Sequence, residues 1–296
     1  TVAAALAQGK PIFVSPAEAR AEADAARAAL AAPVAASKSD HLALVAAYNA
    51  WLAVRDQRGR SAATAFCQDN FLSRSAVEGV WATRAQFAGA LADAGLVPRG
   101  YESFGKSSSS SKKGLPVPAC DAHSHSARVV KAALAAGLYP NLLRAESAPE
   151  RFAKVLNGST QVEGDASQLR VFHRTAGRVF LHPSSQLFRC GTFESGWLVF
   201  SELVQTSKPY AREVSAVPGY AVLLFCGAPR PEHGSGLVDL DGWAKFKAPP
   251  RIAVLVCALR EALADLLHAR IADPTLDLAN SSVLKAVHGL LESDGF

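Results

Sequence analysis

The octapeptide GYESFGKS, Gly100 to Ser107, satisfies the spacing G-x-x-x-x-G-K-[ST] at every position. In a working phosphate loop that pattern wraps backbone amides around a nucleotide, puts the lysine on its phosphates and the final hydroxyl on magnesium. The chemistry also needs a strand before the loop and a helix after it, because the helix N-terminus holds the phosphates. Here helical sequence precedes the match and Pro98 stands just ahead of it. The tract after Lys106, SSSSSKKG, offers no apolar face to pack, and bulky Tyr101 and Phe104 fill positions where the loop must curl tightly. No apolar strand ending in Asp is present as a magnesium-side partner. A nucleotide hydrolase built on this loop is a rival reading, and its context argues against it.

CDAHSHS places Cys120, His123 and His125 within six residues. A closed zinc site needs a fourth ligand, and no second pair at a standard spacing follows, so a polar lead-in to the next helix is the simpler reading. No G-x-S-x-G elbow supports a Ser/His/Asp hydrolase. Residues 170–251 hold ten Lys/Arg against six Asp/Glu, interleaved with Phe172, Phe180, Phe188, Phe193, Trp197, Phe200 and Tyr210. Cations that follow phosphates and rings that stack bases are the ingredients of a single-strand binding surface. Alternation in RVFLH and WLVFSELV suggests instead that most of these rings point into a core.

The elements that must position these groups change character along the chain. Before residue 99 the pattern is helical. VSPAEARAEADAARAALAA opens on Ser15 as N-cap with Pro16 at the first helical position. SKSDHLALVAAYNAWLAVRD starts at Ser39 or Asp40, with apolar residues recurring every three or four, and SRSAVEGVWATRAQFAGALADAGLV is a third amphipathic helix. Residues 99–118 form a Ser-rich excursion, expected to be a disordered surface insertion. SARVVKAALAAGLYPN returns to helix. From about residue 169, LRVFHR, RVFLH, WLVFSELVQTS, YAREVSAV and YAVLLFC read as short strands suited to a small barrel or sandwich, and LVDLDGWAKFKA adds one or two more. RIAVLVCALREALADLLHARI and NSSVLKAVHGLLES close the chain as helices.

Composition limits the function classes. The chain has 296 residues, 49% hydrophobic and 19% charged, enough for one large core or two medium ones. No charge-free apolar run of membrane-spanning length is present. Five cysteines, odd in number and widely spaced, favour buried thiols in a reducing compartment. The net charge of +5 permits an acidic partner such as RNA. With no Met anywhere, the chain is expected to be a fragment or a processed product.

SDHL (39–42) with Tyr48, Asn49 and Trp51, FCQDNFLS (66–73) and RAQF (84–87) resemble the helicase-associated, ratchet-like bundle of DEAH/DExH-box RNA helicases. AGLYPN (136–141) marks the junction, and GRVFLHPSS, WLVFSELVQTSKPYAREVSAV, YAVLLFCG and DGWAKFKAPPRIAVLVCALREALADLL are similar to that family's C-terminal OB-fold and trailing helices. The resemblance implies an α+β multidomain fold. A helical ratchet-like bundle over 1–160, with the insertion at 99–118, precedes a small OB-type β-barrel with C-terminal helices over 161–296. It also implies that ATP and Mg belong to RecA-like domains of the parent polypeptide, so this chain has no catalytic, cofactor or metal residue of its own. Its expected partners are single-stranded or structured RNA, those RecA-like domains and a protein regulator on the OB surface, with no membrane. The expected location is intracellular, in cytoplasm or nucleus, with an organelle left open. The RNA-binding residues the resemblance carries over are His182, Ser184 and Ser185 of HPSS; Thr206, Lys208 and Arg212 of TSKPYAR; and Arg84 and Gln86 of RAQF. SDHL is read as a cap-and-packing signature. The alternative is a stand-alone OB-type single-stranded RNA-binding or scaffold protein without helicase activity.

If GYESFGKS spells a phosphate loop without forming one, the chain shows no ATP turnover that depends on Lys106. ATPase activity abolished by Lys106→Ala would restore the hydrolase reading.

Overall fold

The computed structural model describes residues 1–101, 119–146, 151–155, 158–162, 166–232, 234–278 and 280–294. The chain forms two compact units, Thr1–Ala122 and His123–Phe296. The sequence had suggested a boundary at 160/161. The helix and strand that follow His123 pack and pair within the second unit.

The first unit is helical: α1 (Val2–Gln8), α2 (Arg20–Ala31), α3 (Asp40–Asp69) and α4 (Arg74–Asp93). α2 begins later than Ser15–Pro16 suggested, with Ala19 as N-cap. A turn closed by the Ala19 N–H on the Pro16 carbonyl first carries the chain away from the bridge between Phe13 and Leu72. α3 starts where SDHL placed it, the Ser39 hydroxyl accepting from the Leu42 N–H at 3.1 Å. Ser39, Asp40, His41 and Leu42 are all buried, and Asp40 pairs with Arg27 at 3.9 Å. The motif is therefore a cap and a packing element. Gly59, with φ of 82°, breaks α3 into two helical stretches. Tyr48, Trp51, Val77 and Val80 are at most 2% exposed and form the core, with Ala4, Ala5 and Ile12 against them. After α4 come Gly100 and Tyr101, whose hydroxyl donates to Asp121 at 2.8 Å. A helix, not a strand, thus precedes GYESFGKS; its residues 102–107, and the Ser tract expected to be disordered, lie outside the described residues.

The second unit opens with α5 (Ala127–Leu138), capped by Ser126, and then enters the strands. β1 (Leu142–Glu146), β4 (Arg170–His173), β5 (Gly177–Leu181), β6 (Trp197–Gln205) and β7 (Pro209–Ala216) close a barrel in the order β1-β4-β5-β7-β6. β1 bonds both β4 and β6, and β5 runs parallel to β7. The hairpin β2 (Arg151–Val155) and β3 (Gly158–Val162) is inserted between β1 and β4. Leu143, Val171, Val179, Leu198, Ala211 and Val214 fill the interior.

YAVLLFC, read as a strand, is the helix α6 (Gly219–Phe225). Four consecutive residues, Ala221 to Leu224, are buried, so neither a two- nor a 3.6-residue period shows in the sequence. Arg260 from α7 (Pro250–Ala272) donates to the carbonyls of Leu223 at 3.0 Å, Cys226 at 2.7 Å and Gly227, satisfying the orphan acceptors at the end of α6. β8 (Pro229–Glu232), β9 (Leu237–Leu240) and β10 (Ala244–Lys247) form a separate three-stranded sheet. With α5, α6, α7 and α8 (Ser282–Ser293) they build a second core, in which Trp197 stacks on Phe246 at 5.1 Å. Asp241 accepts from the Tyr139 hydroxyl and, at 2.9 Å, from the Ala228 N–H; both bonds hold its carboxyl below the usual range. Gly227, with φ of +48°, sits beneath that pair, where a Cβ would lie 2.7 Å from the Asp241 carboxylate.

Burial lowers the His41 pKa from 6.5 to about 4, so the folded first unit holds this ring neutral. The unfolded chain takes up the proton from about pH 6.5 downward, the folded unit only near 4. Stability is therefore full above pH 6.5, falls as pH drops toward 4, and levels off below, the His41 share being on the order of 3 kcal/mol. Urea unfolding of His41→Gln should show a flatter dependence across that window; an unchanged slope would remove His41 as its source.

Candidate nucleic-acid interface

Barrel closure brings together two segments that are far apart in sequence. β5 ends at Leu181, and the next residue extends the parallel ladder, the His182 N–H donating to the Ala211 carbonyl at 3.0 Å. The HPSS turn that follows is closed by the Ser185 N–H on the His182 carbonyl at 2.8 Å. From β7, Tyr210 meets the His182 ring edge-on at 5.9 Å and Phe180 at 6.1 Å. Lys208, in the β6–β7 hairpin, places its ammonium 4.7 Å from the Phe180 ring centre. HPSS and TSKPYAR are thus one continuous patch.

The eight predicted residues are not equivalent within the fold. His182 Nδ1 lies 2.7 Å from the Ser184 Oγ and accepts from the Ser184 N–H at 3.1 Å, which orients the imidazole at the barrel mouth. Ser184 is exposed, but Ser185 is only 6% exposed, and its hydroxyl caps the following turn by accepting from the Leu187 N–H at 3.1 Å. Thr206 directs its hydroxyl to the Lys208 carbonyl at 3.4 Å and so shapes the hairpin. Lys208 is exposed, and Arg212 pairs across the strands with Glu202 at 3.7 Å. Arg84 and Gln86 belong to the first unit: Arg84 lies half-buried 5.7 Å from the Tyr48 ring, and Gln86 is exposed.

The expectation that rings point inward holds for Phe193, Trp197 and Phe200, each at most 8% exposed. It fails for Phe188, which is exposed, and for Phe172, Phe180 and Tyr210, which are half-buried on the outside. In RVFLH the inward positions are Val179 and Leu181, so the two-residue alternation puts Phe180 on the outer face. Arg144 and Arg178, which the sequence did not single out, join them there, Arg144 lying 5.6 Å from Phe172 and Arg178 5.2 Å from Phe180. On the opposite side of β4 from Phe172, His173 packs edge-on to the buried Phe200 at 5.6 Å, and burial lowers its pKa. Among the described residues no cluster of three or more His, Cys, Asp or Glu is arranged to hold a metal, and no helix is long and apolar enough to cross a membrane. His123 of the CDAHSHS segment packs its ring 3.9 Å from that of His288.

Five strands closing in this order, with one parallel pair, define a partly Greek-key barrel of the OB class, whose second and third strands and hairpin loops take oligonucleotides or oligosaccharides. Residues 130–228 match the oligonucleotide/oligosaccharide-binding (OB) fold model, and residues 236–293 match the C-terminal domain in RNA helicases. The chain is 32% identical over 99% of its length to the DExH-box ATP-dependent RNA helicase DExH1 of Arabidopsis thaliana, 26% of that protein being covered. It is 31% identical over 87% of its length to the chloroplastic DExH4 of the same plant and 29% identical over 99% to the RNA helicase DHX29 of Mus musculus. It spans 18% and 19% of those two proteins. The chain belongs to the DEAH/DExH-box RNA helicase family, as a C-terminal portion of it.

The two serines of HPSS are separable by experiment. Ser185→Ala removes a buried cap and should lower unfolding stability by about 1 kcal/mol, whereas Ser184→Ala should stay within about 0.5 kcal/mol of the parent. Equal losses in denaturant titrations would overturn the structural role of Ser185.

Proposed function

We propose that this chain is the RNA-gripping C-terminal module of an ATP-dependent DExH-type helicase. In this reading the helical unit is the ratchet-like bundle, and it caps RecA-like motor domains carried elsewhere in the parent polypeptide. ATP and Mg act in those motors, and the module's task is to hold the single strand while they cycle, inside the cell in cytoplasm or nucleus. The observation that carries the reading is the convergence of HPSS and the β6–β7 hairpin on one barrel face.

That face has the chemistry for gripping without reading sequence. Lys208 and Arg212 supply positive charge for phosphates, while His182 and Ser184 are short donors that can bond a phosphate or sugar and release it. Contacts to phosphate and sugar carry no sequence information, so the strand can slide through register after register. Arg212 is already held by Glu202, so a phosphate must share or displace that carboxylate. Exposed pairs of this kind are weak enough to exchange.

Neutralised phosphates release counterions, so each contact adds a salt-dependent term to affinity. Lys208→Ala with Arg212→Ala should weaken oligouridine binding and flatten the plot of log K against log salt by roughly 0.7 per lost contact. The freed Glu202 makes the affinity loss larger than the slope alone implies. Anisotropy titrations over a range of salt that show unchanged affinity and slope would take both residues out of the interface.

A further inference from the structure

Strand register orders the rings and cations on the outer barrel face. Phe172 of β4 lies opposite Arg144 on β1 and opposite Arg178 on β5. Two residues along β5, on the same face, stands Phe180, opposite Tyr210 of β7. Phe172 and Phe180 are thus diagonal neighbours across the β4–β5 pair, at a separation of about 7–8 Å. Each carries a cation: Arg144 lies 5.6 Å from the Phe172 centre, and Arg178 and Lys208 lie 5.2 Å and 4.7 Å from that of Phe180. Val171, Val179 and Leu181 on the same strands are buried, so the barrel interior is complete without these rings.

Single exposed rings need no explanation. Two diagonal rings, a third alongside and three cations between and around them make a surface that is apolar and positive at once. Such a surface suits a ligand with flat faces on an anionic backbone. We propose that Phe172 and Phe180, with Tyr210 beside Phe180, are a stacking platform for two successive unpaired bases of a nucleic-acid strand, which displace Arg144, Arg178 and Lys208 from the rings. The inference rests on the reading that this face grips a single strand, and it adds the part that touches bases. An exposed cation–ring contact is weaker than base stacking on an aromatic side chain, so the exchange runs toward the base. The displaced cations remain within reach of the phosphates of the same nucleotides, which retains their charge in the complex. Every base has a π-face, so the platform holds the strand without selecting its sequence.

The test compares oligouridine with an abasic oligomer of equal length and charge, and uses an oligomer containing 2-aminopurine to report stacking. Phe180→Leu should weaken oligouridine binding by roughly five- to hundredfold while leaving the abasic oligomer unchanged, and should abolish the quenching of 2-aminopurine on binding. Phe180→Trp, which keeps a ring, should restore both signals, and Phe172→Leu should repeat the loss. Circular dichroism melts identify the variants that retain the fold. Equal weakening toward both oligomers, or no change toward either, overturns the platform while leaving the grip on the backbone standing. Failure of the parent chain to bind either oligomer overturns the gripping reading itself.

Discussion

The parallel pairing of β5 with β7 is the constraint on which the second unit depends. These strands lie more than twenty residues apart in sequence, and their ladder brings Phe180 beside Tyr210 and Leu181 beside Ala211. It continues one residue further through His182, so the same hydrogen bonds that close the barrel also seat the HPSS turn against the strand leaving the hairpin. A closed barrel has no free edge, which frees its outer face for ligands instead of self-association. A sheet left open at this pair would keep every local strand and lose the shared patch.

The chemistry of that patch follows from where side chains alternate. Aliphatic residues at the inward positions of β4, β5 and β7 satisfy the core and leave the outward positions free to carry rings and cations. Arg212 is tied to Glu202 and Arg144 to Glu146, at 3.7 Å and 3.2 Å. Lys208 and Arg178 lean on Phe180. The face is therefore organised before any ligand arrives, yet held by exposed contacts that each contribute little and exchange readily. That combination supports the proposed grip, in which a strand is held and repeatedly let go.

Behind the barrel, a few part-buried polar contacts join the helices to each other and to the strands. Arg260 terminates α6 by gathering its last carbonyls, and Asp241 ties Tyr139 to the start of β8 through Ala228. Replacing Arg260 would leave the part-buried carbonyls of Leu223 and Cys226 without this donor. Gly227 fits between the Arg260 and Asp241 contacts because it carries no Cβ. In the first unit the corresponding device is the buried SDHL turn, where a cap, an ion pair and a neutral histidine share one site.

Much of the fold was legible because the information is local. Ser39, Ser126 and Ser281 each cap the helix that follows, and cap geometry involves only a few neighbouring residues. Most barrel strands announced themselves by composition and turn residues, and the mismatch between GYESFGKS and its helical lead-in needed nothing beyond the flanking sequence. Tertiary structure decided the rest. YAVLLFC is a helix whose four consecutive buried residues, Ala221 to Leu224, erase periodicity. β1 escaped notice because five residues of NLLRAE carry too little pattern, and its identity as a strand comes from pairing with both β4 and β6. Ser185 looked like Ser184 until burial separated a cap from a surface donor. Above all, that HPSS and TSKPYAR form one face, and that Phe180 points out of it, are consequences of non-local pairing, whose register no single stretch of sequence contains.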